Sequence, residues 1–173
     1  SLGTTFEQLG ARGFRIDPCD PAHYVALCEC LKTTGFIPER ILHLGAYNDL
    51  RTAEDGELYT ERQQRGVFSM MRTLQAFVGV FGYHSVRLGV ALSGACDVLG
   101  DEPISTAAAS VRAVTLVAPQ ELPNVRCCTI DALSEIHPAA STALANALLN
   151  PVAPLTALRG QKLWRPDYER VEL

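Results

Sequence analysis

Apolar residues recur along this chain with two periods, and the switches between them mark out its elements. Tyr24, Leu27, Cys28 and Leu31 repeat at i, i+3, i+4 and i+7, the stripe of an amphipathic helix. Asp20 stands where an N-cap accepts a hydrogen bond, Pro21 has its φ pre-set for the first helical position, and Gly35 is a natural terminator. A second helical pattern runs from Glu61, with Val67, Met70, Met71, Leu74, Phe77, Val78 and Phe81 on a broad apolar face that reads as core and Gly82 at its end. Between the helices lie short β-favouring runs. Residues 41–44, 86–92 and 125–130 read as buried parallel strands, and 14–16 as an edge strand. The alanine- and valine-rich segment 105–117 reads as a helix whose small side chains let it lie close on a sheet. Pro138 opens a further helix, with Leu144 and Leu148 facing inwards and Leu149 at the margin, closed by Pro151 and Pro154. Residues 155–158 and 162–164 read as a hairpin about Arg159-Gly160, and 168–173 as a last strand or an extended tail.

Strand and helix alternate at crossover spacing. The pattern predicts an α/β fold: a mostly parallel sheet flanked by helices on both faces, joined by right-handed connections and finished by a C-terminal hairpin. With no internal repeat and no long linker, residues 1–173 read as one domain: an N-terminal edge segment 1–16, an α/β core 17–151, and a hairpin and connector 152–173.

Composition narrows the function. The chain has 173 residues, 47% hydrophobic and 20% charged, ordinary values for a globular domain. A net charge of −4 with scattered basic residues supplies no field for a phosphate backbone, so no nucleic-acid partner is expected. No run approaches the length that spans a bilayer, Ser1 opens no signal peptide, and a cytoplasmic location is the expectation. The six cysteines read as reduced packing residues. Cys28 and Cys30 face different sides of a helix, Cys127 and Cys128 alternate across a strand, no CxxC occurs, and His23, His43, His84 and His137 stand at no zinc spacing.

Cofactor chemistry finds little to work with. A dinucleotide fold needs glycines where its first strand turns into a helix, and GxGxxG is absent, as is a Walker sequence. The turn after 41–44 carries only Gly45, then Tyr47 and Asp49, whose carboxylate would repel phosphate. A tyrosine that donates a proton in a short-chain reductase needs a lysine at i+4. The two lysines, Lys32 and Lys162, have Cys28 and Leu158 four residues before them. Ser93 sits at the end of a strand, but Ala91 and Ala95 break a GxSxG elbow, and it reads as a turn serine. Beside Asp97, the Cys96 thiol is expected to have a raised pKa. The polar stretch 48–59, with Asp49, Glu54, Asp55 and Glu57, reads as an exposed loop with solvated carboxylates. Trp164 suits an interface and the core equally. No catalytic, cofactor-binding or metal-ligating residue is assigned, and no cofactor is expected.

Several segments together resemble the N-terminal structural subdomain of the ketoreductase of modular polyketide synthases. They are Asp20-Pro21-Ala22-His23-Tyr24 and Arg40-Ile41-Leu42-His43-Leu44; then Ser93, Asp97-Val98, Gly100 and Glu102-Pro103; then Pro119-Gln120-Glu121, Pro123-Asn124, Cys127 and Ile130-Asp131; and in the tail Arg159, Gly160, Trp164, Tyr168, Glu169, Val171 and Leu173. Arg126-Cys127-Cys128 and Leu158 depart from the family pattern. The resemblance implies a truncated Rossmann-like, short-chain dehydrogenase-like fold that has lost cofactor binding. Its implied role is non-catalytic support for the NADPH-dependent catalytic half of a β-ketoreductase, a half that follows the connector and is missing here. Other implied partners are dehydratase, methyltransferase or acyl carrier domains. The alternatives are a stand-alone pseudo-ketoreductase docking module and a divergent short-chain oxidoreductase.

Overall fold

The computed structural model describes residues 4–47, 56–133, 138–167 and 169–170. Asp49, Glu54, Asp55, His137, Tyr168, Val171 and Leu173 lie outside the described residues. The chain forms β1 (Glu7–Gln8), β2 (Phe14–Arg15), α1 (Pro21–Thr33), β3 (Arg40–Ala46), α2 (Gly56–Gln63), a π-helical turn (Gln64–Phe68), α3 (Ser69–Phe81), β4 (Val86–Leu92), α4 (Thr106–Glu121), β5 (Val125–Ala132), α5 (Pro138–Leu149), β6 (Leu155–Arg159) and β7 (Lys162–Trp164). β1 and β2 pair as a small antiparallel ribbon, while the main sheet runs β3-β4-β5-β6-β7. Its first four strands are parallel, and β7 returns antiparallel beside β6.

The helix signals are realised as predicted. Asp20 accepts from Ala22 N at 2.9 Å and Pro21 opens α1, whose Tyr24 and Cys28 are buried. Ser105 caps α4 through Ala108 N, and buried Ala107, Ala108, Val111 and Ala118 bring that helix close to the sheet. Gly82 closes α3 at φ 64°, a backbone that residues with a Cβ rarely adopt.

The two faces of the sheet bury different sets of residues. Val86, Leu88, Val90 and Leu92 of β4 pack with Tyr24, Met70, Leu74, Phe77 and Val111 from α1, α3 and α4. On the opposite face Ala91, Ile130, Ala132 and Leu158 pack with Leu144, Ala147 and Leu148 of α5. Helices on both faces are therefore observed. The connections do not all share one hand. The sheet advances steadily from β3 to β6, yet α3 and α4 cross on one face and α5 on the other, so the last crossover is opposite in hand to the two before it.

Other differences have local causes. β3 is an edge strand, and Leu42 and Leu44 are 45% and 55% exposed where burial was expected. α5 covers β4 and β5 and leaves the same face of β3 open. Gly45 lies inside β3 instead of in the turn after it. A Cβ there would stand 2.0 Å from Arg65 O, so the glycine admits the backbone of the π-helical turn. Helix begins at Gly56, so Glu57 and Tyr59 belong to α2 and not to a loop. The hairpin turns at Gly160, with Arg159 retained in β6 opposite Lys162. Trp164, at the margin of the sheet, is 42% exposed.

Candidate functional site at the carboxyl edge of the sheet

After β4 the chain leaves for α4 on one face, and after β5 it leaves for α5 on the other. Neighbouring strands whose exits diverge in this way open a crevice at their carboxyl ends, where open α/β sheets bind ligands. In this protein the crevice is occupied by its own side chains.

Three distant segments meet there. Asp131, near the end of β5, is fully buried and accepts from Ala95 N at 3.2 Å and Cys96 N at 3.0 Å. Arg159, the last residue of β6, enters from the other side and donates from Nη2 to Asp131 Oδ2 at 3.1 Å. Glu102, from the loop between β4 and α4, takes Arg159 Nε on Oε1 at 2.5 Å and Arg159 Nη2 on Oε2 at 2.9 Å, the bidentate geometry that suits a guanidinium. The remaining donor capacity of Arg159 goes to the carbonyls of Cys96, Asp131 and Leu158 at 2.9, 2.9 and 3.1 Å. A buried charge left unpaired is costly, and this cluster leaves neither sign without partners.

The electrostatics follow the geometry. The Arg159 hydrogen bonds hold the Glu102 carboxyl below its ordinary range, against burial, with Val98 N adding a further donor at 2.7 Å. Burial acts to lower the Arg159 pKa, but its bonds to Glu102 and Asp131 outweigh that and raise it. Burial, then the Asp131 carboxylate, pushes the Cys96 thiol up. A raised thiol was expected at Cys96, though from Asp97. Asp97 instead accepts from Gly100 N at 2.8 Å, folding a loop in which Gly100 and Asp101 both have positive φ.

Ser93 opens this loop and is 1% exposed. Its N donates to Ala46 O at 3.3 Å, and its buried Oγ has no hydrogen-bond partner, so no base is placed to activate it. Lys32 donates from α1 to Val80 O at 2.9 Å, and Lys162 is exposed on β7. Among the described residues no three His, Cys, Asp or Glu side chains gather as a metal site, and no helix is long and apolar enough to cross a membrane.

A second polar cluster lies where β3 meets the π-helical turn. His43 Nε2 stands 2.6 Å from Ser69 Oγ, and that hydroxyl also meets Arg65 O at 2.5 Å and Gly66 O at 3.2 Å. Its single proton serves the carbonyls, so His43 is the donor through Nε2–H, and its buried Nδ1 is left without a partner. Burial lowers the His43 pKa to about 4, keeping the ring neutral at pH 7.

Sequence reasoning singled out Glu102, Asp131 and Arg159 in three separate motifs without bringing them together. Part of the signal was available: Asp131 and Arg159 each close an apolar run, and such charges need partners when the runs become neighbouring strands, whereas Glu102 lies in a loop whose path the sequence does not give. The contact between His43 and Ser69 had no such signal.

A family model described as Beta-ketoacyl synthase-like, N-terminal matches residues 1–138. Among solved structures, a keto acid-selecting NRPS module with adenylation, ketoreductase and pseudo Asub domains superposes with a TM-score of 0.82 at 21% identity, over 94% of this chain and 14% of that one. An N-terminal ketoreductase from the macrolactin assembly line gives 0.76 at 16% identity, over 91% of this chain and 32% of that one. An alcohol dehydrogenase from the archaeon Thermococcus sibiricus, complexed with 5-hydroxy-NADP, gives 0.61 at 15% identity, over 89% of this chain and 76% of that one. No curated protein sequence matches the chain. At these identities the likeness is one of fold, the Rossmann-like fold of ketoreductases and short-chain dehydrogenases. The chain spans well under half the length of the two ketoreductase-containing structures.

Proposed function

Because the chain belongs to the Beta-ketoacyl synthase-like, N-terminal family, we propose that it is the non-catalytic structural subdomain of a polyketide synthase ketoreductase. In this role it supports an NADPH-dependent catalytic half and binds no dinucleotide itself. The observation that carries this reading is the occupied crevice. Arg159, Glu102 and Asp131 fill the carboxyl edge where a fold of this class takes its ligand, and Ser93 is buried without a base. A binding site would have to break a buried ion cluster before admitting a phosphate, and nothing in the crevice repays that cost.

The support would come from covering apolar surface. Leu116 and Val117 of α4 are 48% and 50% exposed, and Leu163 and Trp164 of β7 flank Leu116 across a groove of about 730 Å³. Exposed apolar area of this kind on one side of a domain fits a surface that another domain closes.

Titration with NADPH, followed by calorimetry, tests the reading. No saturable binding is expected, and saturable binding in the micromolar range overturns it. Mixing with a catalytic ketoreductase half is expected to alter the fluorescence of Trp164, the chain's lone tryptophan.

A further inference from the structure

At the opposite, amino edge of the sheet, three arginines stand side by side. Arg40 of β3 is the register partner of Arg87 on β4, which is in turn the partner of Arg126 on β5. Register partners on parallel strands project to the same face, and adjacent strands lie about 4.8 Å apart, so three guanidiniums share a line of roughly 10 Å. All three are exposed. The Arg40 side chain donates one bond, to Leu149 O at 3.2 Å, whereas among the described residues the side chains of Arg87 and Arg126 have no hydrogen-bond or ion-pair partner. Like charges directly opposite on neighbouring strands repel, and among the described residues no carboxylate forms an ion pair with them; Glu39 borders the same groove without pairing with any of the three. A protein with a net charge of −4 thus concentrates unpaired positive charge at one place.

The surroundings indicate the occupant. The ladder borders a groove of about 530 Å³ with Ser85, Pro123 and Asn124, and a second of about 580 Å³ with Leu149 and Val152, which are 39% and 63% exposed. A line of cations roughly 10 Å long exceeds what one phosphate can span. It does match carboxylates at i, i+4 and i+8 on a helix, whose neighbours lie about 5–6 Å apart. The apolar shelf at Leu149 and Val152 would receive a hydrophobic residue beside them.

We propose that Arg40, Arg87 and Arg126 form a docking ladder for an acidic amphipathic helix of a partner protein, with Leu149 and Val152 as its apolar anchor. The inference is independent of the ketoreductase reading, since it needs no particular neighbour downstream.

The test uses two synthetic helical peptides of equal composition. One carries glutamates at i, i+4 and i+8 with a leucine alongside, and the other spreads them around the helix. Binding to the full chain is followed by fluorescence anisotropy. The one-faced peptide is expected to bind, to weaken at least about tenfold on Arg87→Ser/Arg126→Ser, and to be released at about 0.5 M salt. Because both positions are exposed, the variant is expected to keep its circular dichroism; should it misfold, Arg87→Gln alone serves, with a smaller loss. Equal binding of the two peptides, insensitivity to the substitutions, or complete displacement by millimolar inorganic phosphate would overturn the proposal. So would loss of assembly with a catalytic half in the variant, which would assign the ladder to that interface instead.

Discussion

Arg159 and Glu102, 57 residues apart in sequence, form a bidentate ion pair whose side chains are 3% and 7% exposed. The pair holds the loop after β4 against the end of β6, with Asp131 between them on β5. Three strand ends are thereby fixed to one guanidinium.

Removing that guanidinium is expected to cost far more than removing one charge opposite it. Arg159→Met leaves two buried carboxylates without a counter-charge, and should lower unfolding free energy by about 3–5 kcal/mol. Glu102→Gln keeps an acceptor and leaves Arg159 its bond to Asp131, so a loss of about 1–3 kcal/mol is expected. Urea denaturation of both variants measures the difference. A loss under about 1 kcal/mol for Arg159→Met would place the cluster among ordinary surface ion pairs.

Acid should destabilise the protein in two stages. The His43 pKa falls from 6.5 unfolded to about 4 folded, so the unfolded chain binds the proton first as pH drops. The stability contributed by a neutral, half-buried His43 is complete above about pH 6.5 and is lost progressively down to about pH 4, on the order of 3 kcal/mol in all. Glu102, with its folded pKa below the usual 4.5, adds its own loss in a lower window, as pH falls from that value through the folded one. His43→Gln, which retains a donor toward Ser69, should flatten the profile between pH 6.5 and 4 and leave the lower limb in place. Thermal melts across this range decide it, and an unchanged upper limb in the variant would count against a neutral His43.

How much of this was legible from sequence depended on how local the cause was. Asp20 and Pro21 announce α1 because capping is settled within four residues, and Val86 to Leu92 announces β4 because a strand's apolar run is its own signature. The exposure of Leu42 and Leu44 was not legible, since which strand becomes an edge depends on the order of the whole sheet. The π-helical turn was hidden for the same reason: it answers to the approach of Arg65 O to Gly45, a contact between elements. In the loop after β4, Asp97 and Gly100 close a turn by a contact three residues long. The closure of Glu102 over Arg159 is not local and required the register of β5 and β6.

Thiol reactivity should follow exposure. Cys19 is exposed, whereas burial pushes Cys28 and Cys127 up to about 11 and raises Cys128 as well. An aromatic disulfide reagent at pH 8 is expected to modify Cys19 quickly in the folded protein, half-buried Cys127 more slowly, and buried Cys28 and Cys128 only as fast as the chain opens. Mass mapping of the first adduct checks the order. Early modification of Cys28 would mean that the face under α1 and α3 opens readily.

Two glycine substitutions should move stability in opposite directions. Gly79, within α3, has open space where a Cβ would stand, so Gly79→Ala should stabilise by about 0.5–1 kcal/mol through the lower entropy of the unfolded chain. At Gly45 the added Cβ would meet the Arg65 carbonyl at 2.0 Å, a contact with backbone that no rotamer change relieves. Gly45→Ala must part β3 from the π-helical turn, disturbing the bond between His43 and Ser69 beside it, with an expected loss of about 2–3 kcal/mol. Melting temperatures of the two variants test the packing of β3 directly. A Gly45→Ala variant as stable as the parent would mean that the turn does not seat against β3 as described.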